Sequence, residues 1–135
     1  MTIQMSTTLR NAILDQIETT IGTSPILEIR SGAQPANCAA ADSGTLLASM
    51  TLPSDWMAAA SLGVKALAGV WSDAAANNAG TAAHFRIKDS GGSTCHKQGS
   101  VTATGGGGDI TLDNTNIAAN QTVTITSYTL TAPHA

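Results

Sequence analysis

The chain predicts a mainly β fold, an antiparallel β-sandwich or jelly-roll-like domain with one N-terminal α-helix, and three observations carry that reading. Residues 45–52, 83–87 and 123–125 alternate apolar and polar side chains with the period of two that belongs to a strand with one buried face. About seven or eight such short segments are separated by turn residues. A single stretch, LRNAILDQIETTIG at 9–22, instead repeats apolar residues every four positions, as a helix does. At 135 residues the chain is expected to be one domain, 1–135, with an arm and helix over about 1–22, a sandwich over about 23–131 and a short C-terminal tail.

The helix is expected to open at Thr7 or Thr8, whose hydroxyl can accept a bond from an orphaned backbone N–H. Leu9, Ile13, Ile17 and Ile21 form its apolar stripe, which covers either its own sheet or a neighbouring subunit. Gly22 ends it and Pro25 prevents resumption. Ile26 to Arg30 reads as a strand, followed by a loop of small residues through ANCAAADSG. Thr45 to Leu52 alternates again, with Leu47 as the exception. Pro53-Ser54-Asp55-Trp56 starts a turn or a one-turn helix through Ala60, with Trp56 as a plug, and Val64 to Trp71 is the next strand.

Residues 81–104 write a hairpin. Phe85 and Ile87 point inward, His84, Arg86 and Lys88 outward, and Asp89-Ser90-Gly91-Gly92-Ser93 turns the chain. Cys95, Gly99, Val101 and Ala103 continue the inward face, and Lys97 breaks the alternation, which predicts a bulge or an edge position there. Gly105 to Gly108 reads as a hairpin loop, Ile110 and Leu112 as a brief strand, and Thr122 to Thr131 as the last strand. In that strand Val123 and Ile125 share one face, Tyr128 and Leu130 the other, so it bulges near Ser127 or is covered on both sides.

Composition excludes several functions. A net charge of −3 with 11% charged residues leaves no basic stripe for nucleic-acid phosphates. No apolar run approaches the roughly 20 residues that span a bilayer, and Met1 to Thr8 lacks the basic start and apolar centre of a signal peptide, so a cytosolic site of synthesis and use is expected. Cys38 and Cys95 are accordingly expected as free buried thiols.

The reactive-looking residues spell no site. GGGGD lacks the following Lys-Ser or Lys-Thr and the helix of a phosphate loop. Cys95 and His96 are adjacent on a strand and point to opposite faces, so with Cys38 and His84 they do not converge on zinc. Asp109 and Asp113 sit at loop ends, where aspartates form turns, and no Gly-x-Ser-x-Gly elbow is present. No catalytic residue, cofactor or metal is expected. The candidate surface is a partner interface: Leu9, Ile13 and Ile17 on the helix, and His84, Arg86 and Lys88 with His96 on the hairpin.

Taken together, LRNAILDQIETTIGTSPILEIRSGAQPANC, LPSDWM, GTAAHFRIKDSGGSTCHKQGSV and GDITLDNTNI resemble small β-rich virion proteins of tailed bacteriophages, over about Leu9 to Leu130. The resemblance implies a capsid decoration or cement protein bound to the major capsid protein, itself a homodimer or homotrimer, assembled in the host cytoplasm and resident on the virion. From charge and hydropathy, neither nucleic-acid nor membrane partners are expected. A tail or neck component is the rival reading. A carbohydrate-binding module for host attachment is a third, which one Tyr, one Phe and two Trp equip poorly.

Overall fold

The computed structural model describes residues 2–135. The fold is mainly β with one helix. In chain order the elements are α1 (Thr7–Ile21), β1 (Ile26–Arg30), β2 (Leu46–Thr51), β3 (Val64–Ala66), β4 (Trp71–Asp73), β5 (Gly80–Thr81), β6 (His84–Lys88), β7 (Cys95–Ala103), β8 (Ile110–Leu112), β9 (Asn116–Ile117), β10 (Val123–Ile125) and β11 (Thr129–Thr131). Five strands form the main sheet in the order β2-β1-β6-β7-β8, and three two-stranded ladders, β10-β4, β11-β3 and β5-β9, complete the β structure among the described residues.

The breaks in alternation at Leu47 and Lys97 both mark bulges. Ile29 pairs with Ala48 and Arg30 with Leu46, which leaves Leu47 as the extra residue of β2, so Leu47 and Ala48 are both buried. Ile87 pairs with Lys97 and Lys88 with Cys95, which leaves His96 as the extra residue of β7. This second bulge corrects the expected facing of the hairpin: Cys95 leaves the core face and comes to lie beside Arg86, while His96 and Lys97 turn toward the helix.

Two long expected strands are each split. Val64 to Trp71 becomes β3 and β4, separated by a turn in which Gly69 takes φ +71°. The last strand breaks into β10, paired with β4, and β11, paired with β3, which explains why its apolar residues change face. The stretch after Pro53 forms isolated bridges instead of a helical turn.

The expected antiparallel arrangement holds in the main sheet except at its β8 edge, which runs parallel to β7. The four-glycine loop is therefore a return and not a hairpin. Gly105 and Gly107 take φ of +87° and +79°, and a Cβ on Gly106 or Gly108 would come within 2.8 Å of Thr102, so the loop doubles back against β7.

Leu27, Ile29, Phe85 and Ile87 project from one face of the main sheet into a continuous core that also takes in Trp56, Trp71, Ile110, Val123 and Tyr128. The aromatic rings form a chain, Trp56 to Trp71 at 5.9 Å, Trp71 to Tyr128 at 5.4 Å and Tyr128 to Phe85 at 5.9 Å between centroids, within the range of favourable tilted contacts.

Candidate interaction surface

The helix starts one residue earlier than expected: Ser6 is the cap, its Oγ accepting from Leu9 N at 3.1 Å. Gly22 at φ +92° ends it, and Trp56 Nε1 donates to the Gly22 carbonyl at 2.9 Å. The face that α1 buries takes in only the second half of its four-spaced apolar stripe. Arg10, Leu14 and Ile21 are the buried residues. Arg10 donates to Ala132 O through Nε at 3.2 Å and Nη2 at 2.7 Å. Asn11 and Asp15 accept from the backbone N–H groups of Gly63 and Ala60.

Beside them Lys65, 1% exposed, donates to Asp15 at 2.7 Å, Glu18 at 2.8 Å and Ala58 O at 2.9 Å. Burial alone would lower the Lys65 pKa, but the two carboxylates outweigh it and raise it; the same bond holds the Asp15 carboxyl below its usual range. A polar flank thus fastens the helix to the loop before β3.

That choice of face leaves the predicted stripe turned outward at its start. Leu9 is 48% exposed and Ile13 40% exposed, Ile17 is half-buried against the core, and only Ile21 is covered. Ile13 and Ile17, with Gln16, Thr20 and Ile21, form one wall of a groove of about 350 Å³ whose other wall is His96 and Lys97. Three of the expected interface residues, Ile13, Ile17 and His96, therefore line one groove, and Leu9 lies one turn before Ile13 on the same face of the helix. Lys97 is the member missed in that role, although its break in alternation marked the bulge; its ammonium lies 5.3 Å from the Tyr128 ring centre, and burial pushes its pKa down.

The other expected interface residues lie elsewhere. His84, Arg86 and Lys88 point to the opposite face of the main sheet, and that face is covered. The 31–45 loop folds over it, so the expected exposed footprint at these three residues is corrected to an internal charged layer. Arg86 is 1% exposed and all five of its N–H groups are directed at acceptors: Nε at Cys95 Sγ (3.2 Å), Nη1 at Ala40 O (3.0 Å) and Asp42 Oδ1 (2.6 Å), Nη2 at Cys38 O (2.8 Å) and, at 3.4 Å, Asn37 O. Lys88 bonds Asp42 at 2.6 Å and Glu28 at 3.2 Å, and Arg30 joins Glu28 at 2.9 Å and Asp42 at 3.2 Å.

Burial pushes the Asp42 carboxyl up, but its bonds to Lys88 and Arg86 and the field of Arg30 prevail and hold it below the usual carboxylate range. His84 Nδ1 lies 3.0 Å from the Gly32 carbonyl, so the neutral ring donates there, and its buried Nε2 has no partner. Burial first, and the charges of Arg30 and Arg86 after it, lower the His84 pKa.

The remaining candidates are structural in their contacts. Asp109 accepts from Ser100 N at 2.9 Å and Ser100 Oγ at 3.1 Å, tying the end of the glycine loop to β7. Among the described residues no group of three or more His, Cys, Asp or Glu side chains is placed to hold a metal ion. No helix among them is long and apolar enough to cross a membrane. All four aromatic side chains, Trp56, Trp71, Phe85 and Tyr128, are internal. The two ends of the described chain meet: Met5 N donates to His134 O at 2.8 Å and Ala132 is buried, while Met1 lies outside the described residues. In comparisons with known proteins, no family model, no curated protein and no solved structure matches this chain.

Proposed function

We propose that this chain is a structural protein of a tailed-bacteriophage virion, a capsid decoration protein that docks on the major capsid protein and stabilises the shell. The single observation that carries the docking part is the outward face of α1: Leu9 and Ile13 stand in water beside the groove formed by Ile17, His96 and Lys97. Burying each of those two half-exposed side chains against a partner contributes on the order of 1 kcal/mol, enough with surrounding contacts to favour a specific seat. The phage assignment rests on the sequence resemblance. In this reading the main sheet and the facing ladders make a sandwich or jelly-roll, rigid enough to bridge neighbouring shell subunits as a dimer or trimer. Contacts that exist only in the assembled state raise shell stability by linkage.

A tail or neck position is the alternative reading. A carbohydrate module is disfavoured because every aromatic ring is internal, leaving no stacking platform for a sugar. The test compares wild-type particles, particles lacking the protein, and deficient particles to which purified wild-type or Ile13→Asp protein is added, all heated while DNA release is followed. Wild-type protein should restore heat resistance, and Ile13→Asp, folded as well as wild type, should not bind. Deficient shells that package and survive heating normally while adsorption or tail assembly fails would move the protein to the tail.

A further inference from the structure

The buried charged layer brings the two cysteines of the chain together. Cys38 lies in the 31–45 loop and Cys95 at the start of β7, far apart in sequence, yet both line one recess. One guanidinium fixes both positions: Arg86 donates to the Cys38 carbonyl at 2.8 Å and to Cys95 Sγ at 3.2 Å. Both thiols are half-buried and line a common recess of about 270 Å³ with Ser93 and Asp42, so a small reagent has a path to them. The bulge at His96 is what turns Cys95 to this side; an unbroken strand would send it into the core.

We infer that Cys38 and Cys95 are a redox site: they close to an intramolecular disulfide when the protein meets a low-molecular-weight disulfide such as oxidised glutathione, and the bond clasps the 31–45 loop over the sheet. One cysteine thiol loses its proton to solvent, and the thiolate attacks a sulfur of the small disulfide, expelling one small thiolate. The second cysteine, deprotonated in turn, attacks the mixed disulfide and expels the other. Two cysteine thiols are oxidised and one small disulfide is reduced to two thiols, so atoms and electrons balance. The pair stays reduced in a reducing cytosol and closes in an oxidising medium.

Reactivity and consequence follow from the surroundings. Burial, with the Cys38 contact added, raises the Cys95 pKa against the opposing pull of Arg86, so exchange is slow at neutral pH and quickens as the medium becomes alkaline. Arg86 and Asp42 already hold the loop over the sheet in the reduced state. The link joins residues 57 positions apart, from 38 to 95, and so restricts the unfolded chain strongly.

The experiment incubates the full chain with oxidised glutathione at about pH 8, a condition chosen to populate thiolate, and maps its peptides without reduction. The Cys38 and Cys95 peptides should be joined in a monomer with no glutathione retained, faster in native buffer than in urea, and the melting temperature should rise by about 5–15 °C and fall back on reduction. Cys38→Ser and Cys95→Ser proteins should each keep one glutathione adduct and gain no such stabilisation. Unchanged thiols, two glutathione adducts per wild-type chain, cross-linked dimers, or closure only in urea would each overturn the proposal. A joined pair with an unchanged melting temperature would overturn the clasp.

Discussion

His84 shows how a single side chain on a correctly read strand can be placed in the wrong medium. Alternation assigns His84, Arg86 and Lys88 to the face opposite Phe85 and Ile87, and the structure keeps that division. Alternation says nothing about what lies above a face. The cover is a loop of small residues whose carbonyls accept from Arg86, and no hydrophobic pattern marks a loop that buries charge by hydrogen bonding. A prediction follows from the His84 ring. Its pKa is lowered on folding, so the unfolded chain takes up the proton first as pH falls through the ordinary value of 6.5, and the folded state is progressively disfavoured. Urea midpoints should therefore drop between pH 7.5 and 5.5, the range that brackets an ordinary histidine. His84→Asn, which keeps a donor for Gly32, should flatten the drop. A second loss, from Asp15 and Asp42, belongs below their ordinary value of 3.8, because their depressed pKa values contribute stability that is present above that value and lost as they are protonated. Equal midpoints at pH 7.5 and 5.5 in the wild type would contradict the buried neutral His84.

At the scale of the element, α1 was legible as a helix and illegible in its orientation. The spacing of Leu9, Ile13, Ile17 and Ile21 gives its extent to within a residue or two, yet the helix is rotated so that Arg10, Leu14 and Ile21 face inward. Apolar periodicity scores a polar residue as outward-facing, whereas Arg10 turns inward onto the Ala132 carbonyl and Asn11 and Asp15, at the rim, bond the backbone of Gly63 and Ala60. Truncation along the helix separates the two faces. Leu14→Ala should cost about 2–5 kcal/mol, as a core deletion does, and Ile17→Ala, half-buried, about 1–2 kcal/mol. Leu9→Ser and Ile13→Ser should change stability by less than about 0.5 kcal/mol, while weakening attachment if α1 is the docking face. Denaturant unfolding of the four proteins checks the order. A large loss at Ile13 with none at Leu14 would reverse the assigned orientation.

For the whole molecule, the strands of the main sheet were legible, while the short ladders and the way the strands return were not. Four consecutive glycines read as a flexible hairpin loop, but Gly106 and Gly108 are packed against Thr102 and the chain comes back parallel to β7, a pairing that strand patterns do not encode. The same architecture sets the two ends of the chain together beside the start of α1, through the Met5–His134 bond and the Arg10–Ala132 bonds. It also sends the glycine loop to the far end of β7 from His96, about 20–25 Å away at the rise of an extended strand. If the outward face of α1 seats on the capsid, a bulky fusion at either end stands next to that seat, whereas an insertion after Gly105 stands clear of it. A small folded tag at the C-terminus should therefore reduce decoration of protein-deficient shells at least about tenfold, roughly the loss of 1.4 kcal/mol of binding. The same tag between Gly105 and Gly106 should leave decoration near the wild-type level, with both proteins folded by circular dichroism. Particle sedimentation with quantification of bound protein distinguishes the two. Loss of binding from the loop insertion alone would put the seat at the β7–β8 end of the sheet instead of on the helix.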